Sequence, residues 1–211
     1  MAAQRDIVST ARATYAEPWR ARPRRKNRVA VRRQRKDTRA MNASQTRIQT
    51  MPWRIAPIRA SFLQQVREQG RDDLGQPVEH HIAQGGEPCR DVLRRARPGE
   101  ALILASYGPF SQPGPYREYG PVFVLAEASD ETPNLQTRPW VGDSPYLGAS
   151  FVLRAHSAAE TIVDGQVVPQ EQAEALLQAM LARPDVAFVL ARFAGYGCYA
   201  CRLERAEGAP A

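Results

Sequence analysis

Four short apolar runs, each bounded by glycine or proline, limit what this chain can fold into. Residues 101–105 and 122–126 flank the loop Gly114-Pro115-Tyr116-Arg117-Glu118-Tyr119-Gly120-Pro121. Residues 186–193 and 198–204 flank Gly195-Tyr196-Gly197, which reads as a hairpin turn. Runs of this length between turn residues are strands rather than helices. Leu102-Ile103-Leu104 in succession predicts a strand covered on both faces. A sheet with a Gly/Pro-rich loop beside it follows, and the rest of the chain has to cover that sheet.

The remaining elements read in order. Residues 53–58 form a strand candidate. Ser61 with Gln64 makes a capping box for a helix whose face is Phe62, Leu63 and Val66, and Gly70 ends that helix. Strands follow at 78–82, 89–93, 101–107 and 122–126. Residues 127–148 form a long surface loop, and 151–156 the next strand. Thr161-Ile162-Val163, Asp164-Gly165 and Gln166-Val167-Val168 have the form of a two-residue hairpin. After Pro169, Ala173, Leu176, Leu177, Met180 and Leu181 make the apolar stripe of a helix that Pro184 stops. The predicted fold class is α+β, mostly antiparallel sheet with two amphipathic helices, preceded by a disordered basic tail. The domain plan is an arginine-rich extension over 1–50, one α+β domain over 51–206, and a short tail over 207–211.

Charge divides the same way. Residues 1–50 carry 14 basic and 3 acidic side chains, a net of +11, and residues 51–211 carry 15 and 19, a net of −4. Blocks of like charge such as Arg20-Ala21-Arg22-Pro23-Arg24-Arg25-Lys26 repel and stay solvated. Nucleic acid is therefore a partner only through residues 1–50, or else translation starts at Met51 or Met41 and the extension has no role. Lys26 and Lys36 are the only lysines among 29 basic residues, so arginine here marks positive charge before it marks any special task.

Three cysteines do not make a disulfide framework, and they place the chain in a reducing cytoplasm. No window reaches the ~20 apolar residues that span a bilayer, so no membrane is expected. Cys198 and Cys201 have Cys-x-x-Cys spacing, but in a strand that spacing sends the two side chains to opposite faces. A disulfide, a shared metal and a redox site are all disfavoured by it. His80, His81 and His156 stand at no recognisable spacing from a cysteine, and Gly195-x-Gly197 lacks a third glycine and a following helix. Asp72-Asp73 and Asp130-Glu131 read as solvated loop acids. No metal and no cofactor is expected.

Pro88-Cys89-Arg90, Pro98-Gly99-Glu100, Pro115-Tyr116-Arg117, Gly120-Pro121-Val122-Phe123-Val124, Val186-Ala187-Phe188 and Gly197-Cys198-Tyr199-Ala200 occur in a telling order. On these motifs, over roughly residues 51–206, the chain resembles the bacterial family called domain of unknown function 1203. The resemblance implies neither an activity nor a ligand. The chain also departs from it. Where the family reads His-Val-His-Asn after the strand, Leu190-Ala191-Arg192-Phe193 stands here.

The candidate site residues are Arg90, Tyr116 and Arg117, with Cys89, Cys198 and Tyr199 from the motifs of the resemblance. Arg90 and Arg117 are expected to face one cleft, where guanidinium forks and a tyrosine face would hold a small anionic or peptide ligand. The plainer alternative packs the tyrosine and pairs the arginines with Glu100 or Glu118. The domain then reads as a binding or interaction module for a small ligand or a protein. The rival is a thiol-dependent enzyme using Cys89 or Cys198, and the leaning is away from an enzyme.

Overall fold

The computed structural model describes residues 52–133, 135–142 and 145–206. The basic extension over 1–50 and the tail over 207–211 lie outside them. Among the described residues ten strands and two α-helices run in the order β1 Trp53–Ala56, α1 Ala60–Gln64, β2 Glu79–Ile82, β3 Pro88–Cys89, β4 Arg94–Arg95, β5 Ala101–Tyr107, β6 Gly120–Leu125, β7 Ser150–His156, β8 Ile162–Pro169, α2 Gln170–Leu181, β9 Phe188–Phe193 and β10 Tyr199–Arg205. The fold is α+β and mostly antiparallel, as the apolar runs predict.

The strands form two sheets of five. The first has the order β1-β10-β9-β7-β8 and is antiparallel throughout. The second has the order β2-β5-β6-β3-β4, with β3 parallel to β6. They share an apolar layer in which Ile103, Ala105, Tyr107, Val122 and Val124 meet Phe188, Leu190 and Tyr199. Every residue of β9 is buried, because its other face, Val189, Ala191 and Phe193, lies in the cluster that contains α2.

Helix α2 covers that face with Ala173, Leu177, Met180 and Leu181. Burying its three large side chains is worth about 1.5–3 kcal/mol each before entropy is subtracted. Helix α1 is continued by one π-helical segment, Gln65–Gln69, and buries Phe62 and Val66. Gly70 closes it at φ 61°, the left-handed conformation that glycine adopts without strain. Arg59, not Ser61, takes the N-cap, and no side-chain cap forms, so the capping box is not realised.

Two other expectations are corrected. Asp164-Gly165 is no turn. Both residues lie inside β8 and pair with Ala155 and Arg154 of β7. The reversal falls at residues 157–161, where Glu160 takes φ 60°. The strand expected over 89–93 stops at Cys89. A turn follows, with Leu93 at φ 52°, and β4 pairs back onto β3 through Pro88–Arg95 and Cys89–Arg94. That reversal brings Arg90 and Arg95 to the same place.

Candidate functional site

A cavity of about 790 Å³ opens beside the β9–β10 turn, and Arg90, Arg95, Leu104, Phe123, Phe193 and Cys198 are among the residues on its walls. Arg90 is 4% exposed. Its Nε donates to the Tyr199 carbonyl at 3.0 Å and its Nη1 to the Pro88 carbonyl at 2.6 Å. Arg95 donates from Nη1 to the Gly86 carbonyl at 2.9 Å. Both guanidinium groups lie over one aromatic ring, with Cζ 5.1 Å and 5.0 Å from the centre of Phe193.

Among the described residues neither arginine joins an ion pair, and of the two buried arginines, Arg90 and Arg192, Arg192 alone does. Arg192, 7% exposed, has the Glu118 carboxylate against it, and Arg154 reaches the same carboxylate at 3.6 Å. Arg94 and Arg97 share Glu100 and Glu131. A buried charge without a counterion costs several kcal/mol unless something compensates it. At Arg90 the compensation is two carbonyls and a ring face. Burial pushes the Arg95 guanidinium below its ordinary value, and the like charge of Arg90 acts in the same direction. Among the described residues Glu87 is the one carboxylate on the wall, and it is committed to the Gln84 and Gly85 amides at 2.9 and 3.0 Å.

Arg117 lies elsewhere. It lines a second cavity of about 560 Å³ with Tyr107, Tyr119, Tyr199, Arg59 and Arg202, and its Cζ is 5.4 Å from the Tyr119 ring centre. Asp73 and Glu160 share that cavity. Glu160 accepts from the amides of Ser111 and Gln112 at 2.9 and 2.8 Å and from Ser111 Oγ at 2.8 Å. Burial raises its carboxyl, but these donors outweigh burial and hold it below the ordinary value. Asp73 contacts Arg59 and accepts from the Gly108 amide at 2.8 Å. Both acids fix the loop that follows β5, so this cavity carries mixed charge, with Arg59 and Arg202 paired to Asp73 and Glu204 and Arg117 held over the Tyr119 ring.

The expected site residues therefore separate. Arg90 and Cys198 line the first cavity, and Arg117 and Tyr199 the second. Tyr116 is exposed, and Cys89 is fully buried. Neither arginine pairs with Glu100 or Glu118, whose partners are Arg94, Arg97, Arg154 and Arg192. Asp72, read as a solvated loop acid, is buried and accepts from the Leu74 and Gln76 amides at 2.9 Å each.

Reasoning from the sequence missed Arg95. It stands in Arg94-Arg95-Ala96-Arg97, which reads as a solvated cationic run. A period-2 alternation from Cys89 could not have revealed it, because the turn at Leu93 resets the faces.

The thiols are free. Burial pushes Cys89 and Cys201 up to about 12, with the Asp91 carboxylate adding to the rise at Cys89. The opposite-face argument for Cys198 and Cys201 fails, because a bulge between Tyr199 and Cys201 breaks the alternation. Ala200 and Cys201 join the α2-side cluster and Cys198 packs against it, while Tyr199 faces the layer between the sheets. Among the described residues no group of three His, Cys, Asp or Glu side chains is placed to hold a metal ion, and no helix is long and apolar enough to cross a membrane.

Comparison with curated proteins and with solved structures gives no match. The model of one family, described as protein of unknown function (DUF1203), matches residues 86–205. That span runs from the wall of the first cavity to the end of β10 and takes in Arg90, Arg95, Phe193 and Cys198, while β1, α1 and β2 precede it. Covering more than half of the chain, the match makes this protein a member of the DUF1203 family.

Proposed function

We propose that the domain is a binding module for a small anionic ligand, seated in the first cavity against Arg90 and Arg95. One observation carries this reading: a guanidinium 4% exposed, with no carboxylate partner among the described residues, on the wall of a cavity large enough for a ligand. Cavities that hold small molecules run to about 300–1,000 Å³ and combine an apolar lining with a few placed polar groups. An anion there would supply the missing counterion and relieve the repulsion between the two arginines. Planar forks already oriented by carbonyls and a ring lose little freedom on binding.

The thiol-enzyme reading has less support. Nucleophilic catalysis uses the thiolate and a nearby base; burial holds Cys89 protonated at neutral pH, and no histidine lines either of the described cavities that Cys198 lines. The three free thiols suit a bacterial cytoplasm, where we place the domain.

Calorimetric titration with inorganic phosphate and with acetate tests the reading. The unaltered protein should bind, and Arg95→Gln should weaken binding at least tenfold while unfolding at nearly the same temperature. Equal affinity in both proteins would overturn the proposal, as would no binding of phosphate, acetate or any longer carboxylate by the unaltered protein.

A further inference from the structure

The outer face of the second sheet stays apolar further than it is covered. Side chains alternate along a strand, so Leu102 and Leu104 of β5 share a face, opposite Leu125 and Phe123 of β6. Leu102 and Leu125 are buried in a small cluster with Ala83, Cys89, Val92 and Ala96. One step along, that cover ends. Leu104 and Phe123 are only partly buried, and both line the first cavity. Pro121, Leu147 and Phe193 extend the same apolar wall, and Tyr196 at the tip of the β9–β10 turn is 92% exposed.

The polar end of this cavity is small. Arg90 commits Nε and Nη1 to carbonyls, and Arg95 commits Nη1. Each guanidinium has five N–H donors, and Arg95 keeps its whole Nε–Nη2 edge unbonded among the described residues, a fork that matches the two oxygens of a carboxylate. An inorganic anion would fill a small part of about 790 Å³ and leave Leu104 and Phe123 facing water.

We infer that the ligand of this cavity is an amphiphilic carboxylate, its head at Arg90 and Arg95 and its aliphatic body on Leu104 and Phe123. The inference rests on the anion-binding reading and deepens it by naming the ligand class. Head and body have separate jobs. The head answers guanidinium charge that has no carboxylate partner, and the body buries the apolar strip that the fold leaves open.

A calorimetric series of acetate, butanoate, hexanoate and octanoate at matched ionic strength tests this, with octanol and inorganic phosphate as controls. Affinity should rise about fourfold for each methylene buried, and octanol should bind at least tenfold more weakly than octanoate. Leu104→Gln should flatten the series. Should that variant fail to fold, the series on the unaltered protein decides alone. Equal affinity for acetate and octanoate would overturn the amphiphile and leave the anion reading standing. Octanol equal to octanoate would overturn the role of the head, and phosphate binding more tightly than octanoate would overturn the amphiphile. No binding by any carboxylate or by phosphate would remove the anion reading itself.

Discussion

The guanidinium carbon of Arg90 lies 5.1 Å from the centre of the Phe193 ring, a contact that joins the turn after β3 to the end of β9. It brings a strand end of each sheet to one cavity. Phe193 ends the Leu190-Ala191-Arg192-Phe193 stretch where the family was expected to read His-Val-His-Asn. Two of the four replacements face arginine chemistry: Phe193 lies under Arg90 and Arg95, and Arg192 meets Glu118.

Arg90 holds the structure as well as the cavity. Arg90→Lys keeps the charge but cannot reach the carbonyls of Tyr199 and Pro88 with one planar fork. Leaving a buried carbonyl unpaired costs about 1–3 kcal/mol, and urea unfolding of Arg90→Lys should show a loss of that size. Arg95→Gln should lose about 1 kcal/mol or less, since it gives up one bond to the exposed Gly86 carbonyl and the ring contact with Phe193. Equal losses would mean that Arg90 is not the buried anchor described.

Thiol labelling separates the cysteines. Cys89 and Cys201 are buried with raised thiols, whereas Cys198 is partly exposed. A disulfide reagent added to the native protein at pH 8 should modify Cys198 first and leave the other two until the protein unfolds. Rapid reaction at Cys89 would revive the thiol enzyme.

Most strands and α2 were legible because each carries its own period. The pairing was not. Asp164-Gly165 has the composition of a tight turn, yet β7 offers a full-length partner and β8 runs straight through. Tertiary pairing outweighs a local turn preference there. The candidate site was legible only in part. Arg90 was found from its place at a strand end, whereas Arg95 depends on the reversal at Leu93 and on Phe193 far along the chain. Arg90 and Arg117 lie on walls of different cavities because the Gly114–Gly120 loop turns toward Glu160 and Arg202, a direction that no spacing in the sequence encodes. In a chain with so few lysines, burial without a carboxylate distinguishes Arg90, and burial is a property of the fold.

His156 makes stability depend on pH. It is fully buried, stacked on Phe188 with ring centres 4.9 Å apart, and its Nδ1 is 2.9 Å from the Arg154 carbonyl. Burial holds the imidazole down to about 4, against 6.5 for an ordinary histidine. Between those values the unfolded chain binds a proton that the folded chain refuses. Stability is therefore complete above pH 6.5 and falls as pH drops toward 4, by on the order of 1–3 kcal/mol. His156→Leu should flatten this slope in unfolding curves recorded from pH 7 to pH 4. An unchanged slope would contradict the assignment.

Glu100 acts lower on the pH scale. Hydrogen bonds from Arg94 depress its carboxyl to about 2, from an ordinary 4.5, against an opposing effect of burial. The depressed carboxylate stabilises the fold above pH 4.5, and that contribution is lost as pH falls toward 2. The pair is partly solvated, so the effect should stay near or below about 1 kcal/mol. Glu100→Gln should reduce the loss of stability between pH 4.5 and pH 2, and an equal loss in both proteins would argue against it.

The central claim, an anion held by Arg90 and Arg95, is tested most directly by side-chain Nε–Hε NMR of nitrogen-labelled protein titrated with octanoate at constant ionic strength. The account predicts saturable shifts at Arg90 and Arg95 with one shared dissociation constant, while Arg154 and Arg192, already met by Glu118, stay in place. Shifts confined to other arginines, or no saturable shift at Arg90 and Arg95 up to the solubility of the ligand, would contradict it.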